Sequence, residues 1–327
     1  MQFGPVPLAA ALGTILAHST KVAGGMLRKG KVLTAGDIPA LRALGLHQIT
    51  VARLAPDDLP EDEAAARVAQ ALIAGPGLRL GAAATGRVNL HATAAGLARI
   101  DAAAVCALNL VNPMITLATV TPWQRLAAGD MVATIKIIAY GVPAADVARA
   151  EAVGRAALGL ACPAFATATL IETTTTGQTP APKGRDALRT RLARLGLTLG
   201  ERVVVAHDTA AIAAAIAQAA GEVIFILTAS ATSDSHDVAP EGLRQAGGQV
   251  QHFGLPVDPG NLLFFGAFGL RPVIGLPGCA RSMARNGADW VLERLICGVA
   301  LSRDDIAAMA VGGLLKEIPI RPRPREA

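Results

Sequence analysis

Between residues 164 and 298 the chain alternates short apolar stretches with amphipathic ones, and this alternation restricts the fold more than any other feature. Apolar segments at 165–171, 202–206, 223–227 and 272–276 predict strands; stretches that carry Leu188, Leu192 and Leu195 on one face, or run through alanines at 210–220, predict helices. Strand and helix in turn imply a mostly parallel sheet. Asp208 or Thr209 suits the cap of the 210–220 helix, and a helix opened by Pro240 closes at Gly247 and Gly248. Further strands are expected at 249–253 and 262–265, and a last helix at 288–297. Four polar clusters follow apolar strands: 173–177, His207 with Asp208, the run TASATSDSHD from Thr228 to Asp237, and 276–282. In open parallel sheets ligands bind beyond the carboxyl ends of the strands, so these loops predict a site.

The remainder divides at turn-forming residues. A chain of 327 residues exceeds the usual single domain, and the expected parts are 1–78, 79–160, 161–300 and a tail at 301–327. The first part predicts a helix at 6–17, a second at 37–44 and a strand at 48–54. Gly75, Pro76 and Gly77 break the chain before strands at 87–91, 115–120 and 131–140. Both early parts read as small α/β or mostly β modules. Alternating Arg and Pro make the tail extended.

Composition excludes several functions. Although 52% of residues are hydrophobic, no apolar run reaches the roughly 18 residues of a membrane span. The start at Met1 has no basic and apolar leader pattern, which predicts a cytoplasmic protein. Cys106, Cys162, Cys279 and Cys297 form no CxxC pair, and the six histidines no i, i+4 pair, so neither a zinc site nor a redox dithiol is expected. A net charge of +5 with 3% aromatic residues argues against nucleic acid and suits a small anionic ligand.

Within the polar clusters, the hydroxyls of Thr228, Ser230, Thr232 and Ser233 are suited to phosphate oxygens, and the helix near Pro240 adds its N-terminal dipole. Asp208, Asp234 and Asp237 suit a magnesium ion bridging phosphates, or the donor edge of a heterocycle. The competing explanation is that these aspartates cap helices and form turns. Lys183, Arg185, Arg281 and Arg285 bring positive charge. Ser235, His236 and Asp237 are adjacent in sequence and cannot form a catalytic relay. Cys279 reads as a small residue packed in a tight turn, since no base accompanies it.

These residues in this order resemble the molybdopterin-binding domain of molybdenum cofactor biosynthesis proteins, shared by molybdopterin adenylyltransferases and molybdenumtransferases. The similarity lies in TASAT at 228–232, DVAPE at 237–241, PGNL at 259–262, LPGCA at 276–280 and Asp208, and covers about 164–298. It implies an α/β fold: a three-layer, mostly parallel sheet preceded by smaller α/β or β-rich segments. It also implies molybdopterin as ligand or substrate, magnesium (Mg2+), catalytic and metal-binding roles for Asp208 and Asp237, and a homo-oligomer. Ligand contacts then fall to Thr228, Ser230, Thr232, Ser233, Asp234, Pro277, Gly278, Arg281 and Ser282. GNLL at 260–263 and GGLLKEIP at 312–319 look like the subgroup in which a cytidylyltransferase-like domain follows; with the sequence stopping at Ala327, that transfer is expected to reside elsewhere, and a cytidylyltransferase-like protein or a molybdoenzyme becomes the expected partner. Ala229 and Ser230 stand where the family has paired glycines, and Cys279 with Ala280 where it has Asn-Pro. The resulting alternatives are nucleotidyl transfer or molybdate insertion, a binding or delivery module without chemistry, and a nucleotide-type hydrolase on the same fold.

Overall fold

A computed structural model describes residues 1–315; of the extended tail expected at 301–327, residues 316–327 lie outside the described residues, and the rest holds the helix Arg303–Ala308 with Ile306 buried. The described residues form two compact units, one of residues 1–94 and 98–160, the other of 95–97 and the chain from 161 on. Among the described residues no helix is long and apolar enough to cross a membrane.

In the first unit, Gln2–Pro7 pairs antiparallel with Gln48–Arg53, placing Val6 opposite Ile49, and Ile15–Leu16 pairs with the other edge of that strand. The helix expected at 6–17 is therefore absent. Pro5 and Pro7 have no amide to donate, and Gly13 at φ +76° breaks any helical continuation. The apolar spacing is used instead by the strand and a single turn at Leu8–Ala10, and Leu8, Leu16, Leu33, Leu41 and Val51 share one core.

A second core in this unit packs the helix Glu61–Leu72 on an antiparallel sheet. The strand order is Ile115–Thr119, Met131–Ile137, Arg87–Ala92, Leu78–Leu80. Val68 and Leu72 meet Val88, Leu90, Ile135 and Ile137 there, a core continuous across position 78.

Asp37 fastens the start of the helix Asp37–Arg42. Its Oδ2 accepts from the Thr34 hydroxyl at 2.7 Å and the Thr34 amide at 2.8 Å, and its Oδ1 pairs with Lys31. Lys31, followed by the Thr34 bonds, holds the carboxyl at about 2, below its ordinary 3.8. A lowered folded-state value stabilises the fold above the unfolded value of 3.8 and is lost as pH falls through about 2. Asp37→Asn is thus expected to remove stability at pH 7 and to flatten the loss seen between pH 4 and pH 2, read from urea midpoints across that range. A variant with an unchanged acid limb would contradict this.

Among the described residues of the second unit, one sheet has seven strands: β1 Thr167–Thr174, β2 Thr198–Leu199, β3 Val203–Ala206, β4 Val223–Leu227, β5 Gln249–Phe253, β6 Phe264–Phe268 and β7 Arg271–Gly275. The sheet order is β2-β1-β4-β7-β6-β5, with β3 continuing the β2 edge beside β1. β1 is parallel to β2, β3 and β4, and β4 is parallel to β7. Among the described strands of this sheet only β6 is reversed, antiparallel to both β5 and β7. The mixed α/β class with a mostly parallel sheet matches the alternation in sequence.

Helices α1 Lys183–Ala193, α2 Thr209–Gln218, α3 Val238–Gln245 and α4 Gly287–Ile296 link the strands and follow the last of them. Ile212 and Ile216 of α2 and Leu243 of α3 pack on Ile171, Ile224, Ile226 and Val273. Neighbouring strand residues point to opposite faces, so Phe225 and Leu227 look the other way. There α1 lies against Leu227. A Cβ on Gly184 would come within 2.6 Å of the Leu227 side chain, so the glycine sets how closely the helix approaches the sheet.

Candidate functional site

The parallel pairings carry the ends of β1, β3, β4 and β7 to one edge of the sheet. The four polar clusters of the sequence follow those ends, and side chains tie all four together. Thr173, near the end of β1, is buried; its Oγ1 accepts from the Ala229 amide at 2.7 Å and lies 2.9 Å from His207 Nδ1. Arg281 Nη2 donates to the Thr228 carbonyl at 2.6 Å, joining the turn after β7 to the loop after β4.

The hydroxyl loop divides into anchored and free positions. Thr228 and Thr232 are buried with their hydroxyls 3.3 Å apart, closing the loop base, whereas Ser230 and Ser233 are exposed. Asp234 is spent in a turn, accepting from the His236 amide at 2.7 Å. Asp237 caps α3: Oδ1 accepts from Val238 at 2.7 Å and Oδ2 from Ser233 at 3.1 Å. Asp208 caps α2 through the Ala211 amide at 2.9 Å. The capping explanation therefore accounts for all three aspartates. Among the described residues no three His, Cys, Asp or Glu side chains gather to hold a metal ion, so this donor set does not fit a protein-held magnesium.

His236 pairs with Glu241 of α3 at 2.7 Å, and Arg244 donates to Glu241 at 2.6 Å and to the Ser235 carbonyl at 2.7 Å. These contacts pin the far side of the loop and leave no relay among Ser235, His236 and Asp237. Burial pushes the Cys279 thiol up, which suits packing and disfavours a nucleophile.

Pro277 is buried at the head of the short turn Gly278–Arg281, Gly278 is exposed, and Ser282 is half-buried just beyond. Of the four expected cations, Arg185 is not available to a ligand. It is buried and donates to the Gly200 carbonyl, and desolvation lowers its pKa. Arg285 lies 5.7 Å over the Trp290 ring and Lys183 is exposed at the start of α1. No side chain caps that helix.

One residue central to this edge was not foreseen: Arg191. Arg191 is buried on α1 beside Leu188, Leu192 and Leu195. A positive charge inside that apolar stripe is the sequence signal that would have found it, since such a charge must be paired.

Residues 174–296 match the family model described as a probable molybdopterin binding domain, and residues 5–53 match that of a domain of unknown function, DUF8806. No curated protein matches the chain. Among solved structures, the molybdopterin biosynthesis moea protein from Pyrococcus horikosii aligns at 16% identity and a TM-score of 0.32, covering 91% of this chain and 75% of that one.

Proposed function

We propose that this protein binds molybdopterin at the carboxyl edge of β1, β3, β4 and β7, and acts in molybdenum cofactor biosynthesis. The observation that carries the reading is the union of a matched molybdopterin-binding region at 174–296 with four polar loops on one sheet edge. The exposed hydroxyls of Ser230 and Ser233 and the guanidinium of Arg281 are donors suited to a phosphate monoester. The full fold is then the three-layer molybdopterin-binding domain, and the finer roles follow from it. Ser230, Ser233, Gly278, Arg281 and Ser282 touch the ligand. Thr228, Thr232 and Pro277 shape the loops, and Asp208, Asp234 and Asp237 hold backbone in place.

Binding or delivery without group transfer is the favoured form. Ala229 and Ser230 put side chains at an exposed loop tip where the family has paired glycines, and the aspartates are engaged as caps. A cytidylyltransferase-like protein or a molybdoenzyme would then receive the ligand. The test is mass spectrometry of ligand released from natively purified protein, joined to titration with added molybdopterin. A pterin mass and saturable binding are expected; a protein that carries none and does not bind it refutes the reading. Incubation with molybdopterin, magnesium and ATP or CTP separates the two forms, because a nucleotidyl product would make it a transferase.

A further inference from the structure

The antiparallel sheet of the first unit buries one side and leaves the other open. Val88, Leu90, Ile135 and Ile137 face the core beneath the helix Glu61–Leu72, so alternation turns Arg87 and Asn89 of one strand, and Thr134 and Lys136 of the next, to the opposite side. Arg79 of Leu78–Leu80 and Thr116 of Ile115–Thr119 share that side through their pairing with His91 and Lys136. Arg79 and Arg87 are exposed, whereas Asn89, Thr134 and Lys136 are half-buried.

The register sets positive charge against positive charge. Arg87 stands directly opposite Lys136, and like charges so placed in a sheet are destabilising. None of these outward residues is acidic. Lys136 is engaged, donating to the Thr85 carbonyl, and Glu61 feels its charge. Arg79 and Arg87 have no carboxylate partner among the described residues. Arg87 Nη1 donates to Thr134 Oγ1 at 3.1 Å, and that hydroxyl donates to Asn89 Oδ1 at 2.8 Å. These two bonds hold Arg87 and Asn89 in line along their strand and occupy the Asn89 oxygen, so Asn89 presents its N–H donors.

The spacing of the donors selects the kind of anion. Side chains two residues apart on a strand lie about 6.8 Å apart, the interval between alternate side chains of any extended chain, and Arg87 and Asn89 have it. Arg79 stands across from His91, four residues from Arg87, which separates the two arginines by roughly 14 Å, more than one carboxylate or phosphate spans. No aromatic ring stands among the outward residues to stack on a base, which disfavours a single-stranded nucleic acid.

We propose that this sheet face docks an extended acidic segment of a partner protein, with Arg79 and Arg87 as its cationic anchors and Asn89 as a donor between them. The surface uses residues of the first unit alone and stands whether or not the second unit binds molybdopterin.

The test titrates fluorescein-labelled decaglutamate into the full chain at about 150 mM salt, beside labelled decathymidylate. Saturable binding of decaglutamate is expected, weakening as salt rises. Arg79→Glu combined with Arg87→Glu should lower that affinity about tenfold or more, since like charges then meet where opposite ones did. Arg42→Glu combined with Arg155→Glu changes the net charge equally at exposed arginines elsewhere in this unit and should bind nearly as the wild type does. Arg79→Gln combined with Arg87→Gln should also lose affinity, yet unfold at no lower a temperature than the wild type, because the charge opposite Lys136 is gone; this pair decides if the glutamate pair does not fold. A wild type without saturable binding, face variants that bind unchanged, an equal loss in the Arg42 and Arg155 pair, or tighter binding of decathymidylate than of decaglutamate each overturns the inference.

Discussion

Arg202→Met is expected to destabilise the second unit by about 3 kcal/mol, because it leaves a carboxylate charged and alone inside the protein. Glu172 of β1 keeps 1% of its side-chain surface, against 26% for Arg202, so the variant strands the partner that water cannot reach. The pair is bidentate, at 2.7 and 3.0 Å, and Arg202 also donates to the Pro180 carbonyl at 2.5 Å, fastening the loop after β1. A loss at the low end of the ~3–5 kcal/mol range for broken buried pairs is expected, since the buried Arg185 stands close enough to feel both groups. Urea unfolding measures it. Glu172→Leu combined with Arg202→Met should recover much of the loss, because an apolar pair of similar volume leaves no buried charge. A single-variant loss under about 1 kcal/mol would show that water or Arg185 neutralises Glu172, and the pair would not be what holds this edge.

The same residues explain how much could be read from sequence. β4 was legible to its last residue, because five apolar residues stand between Glu222 and the polar Thr228. α2 was legible at its start, where Asp208 is the cap. β1 runs to Thr174, three residues past the expected end at 171, because the polar Glu172 and Thr173 are satisfied by partners distant in sequence. No local pattern reports a partner 30 or 56 residues away.

Alanine hid other elements. The helices Ala102–Asn109 and Ala144–Val153 are rich in a residue too small to mark one face clearly, and they lie where the sequence pointed only to strands. The loops of the site were legible because strand ends and polar residues coincide. Which side chains remain for a ligand was not, since that depends on the backbone amides each aspartate meets. The hydroxyls of Thr228 and Thr232 face each other and the aspartates cap, so the site rests on fewer side chains than the sequence offered.

Thr173→Val is expected to weaken ligand binding about tenfold or more while costing only about 1 kcal/mol of stability. Valine keeps the shape of threonine and removes one oxygen, the atom on which the Ala229 amide and His207 Nδ1 meet. Ala229 is exposed, so water can take up its amide once the hydroxyl is gone, which keeps the stability cost small. The loop then leaves β4 with only the Arg281 bond to the Thr228 carbonyl as a reference, and Ser230, next to Ala229, loses its placement. Ordering that loop on binding must be met from the ligand's own contacts, so the cost appears as affinity. Thr173→Ser restores the oxygen and should restore most of the binding, a recovery that a packing defect would not produce. Titration with molybdopterin alongside thermal unfolding separates the two effects. If Thr173→Val binds as the wild type does, the loop is held by its far side through Arg244 and Glu241, and the junction of strand ends at Thr173 is structural alone.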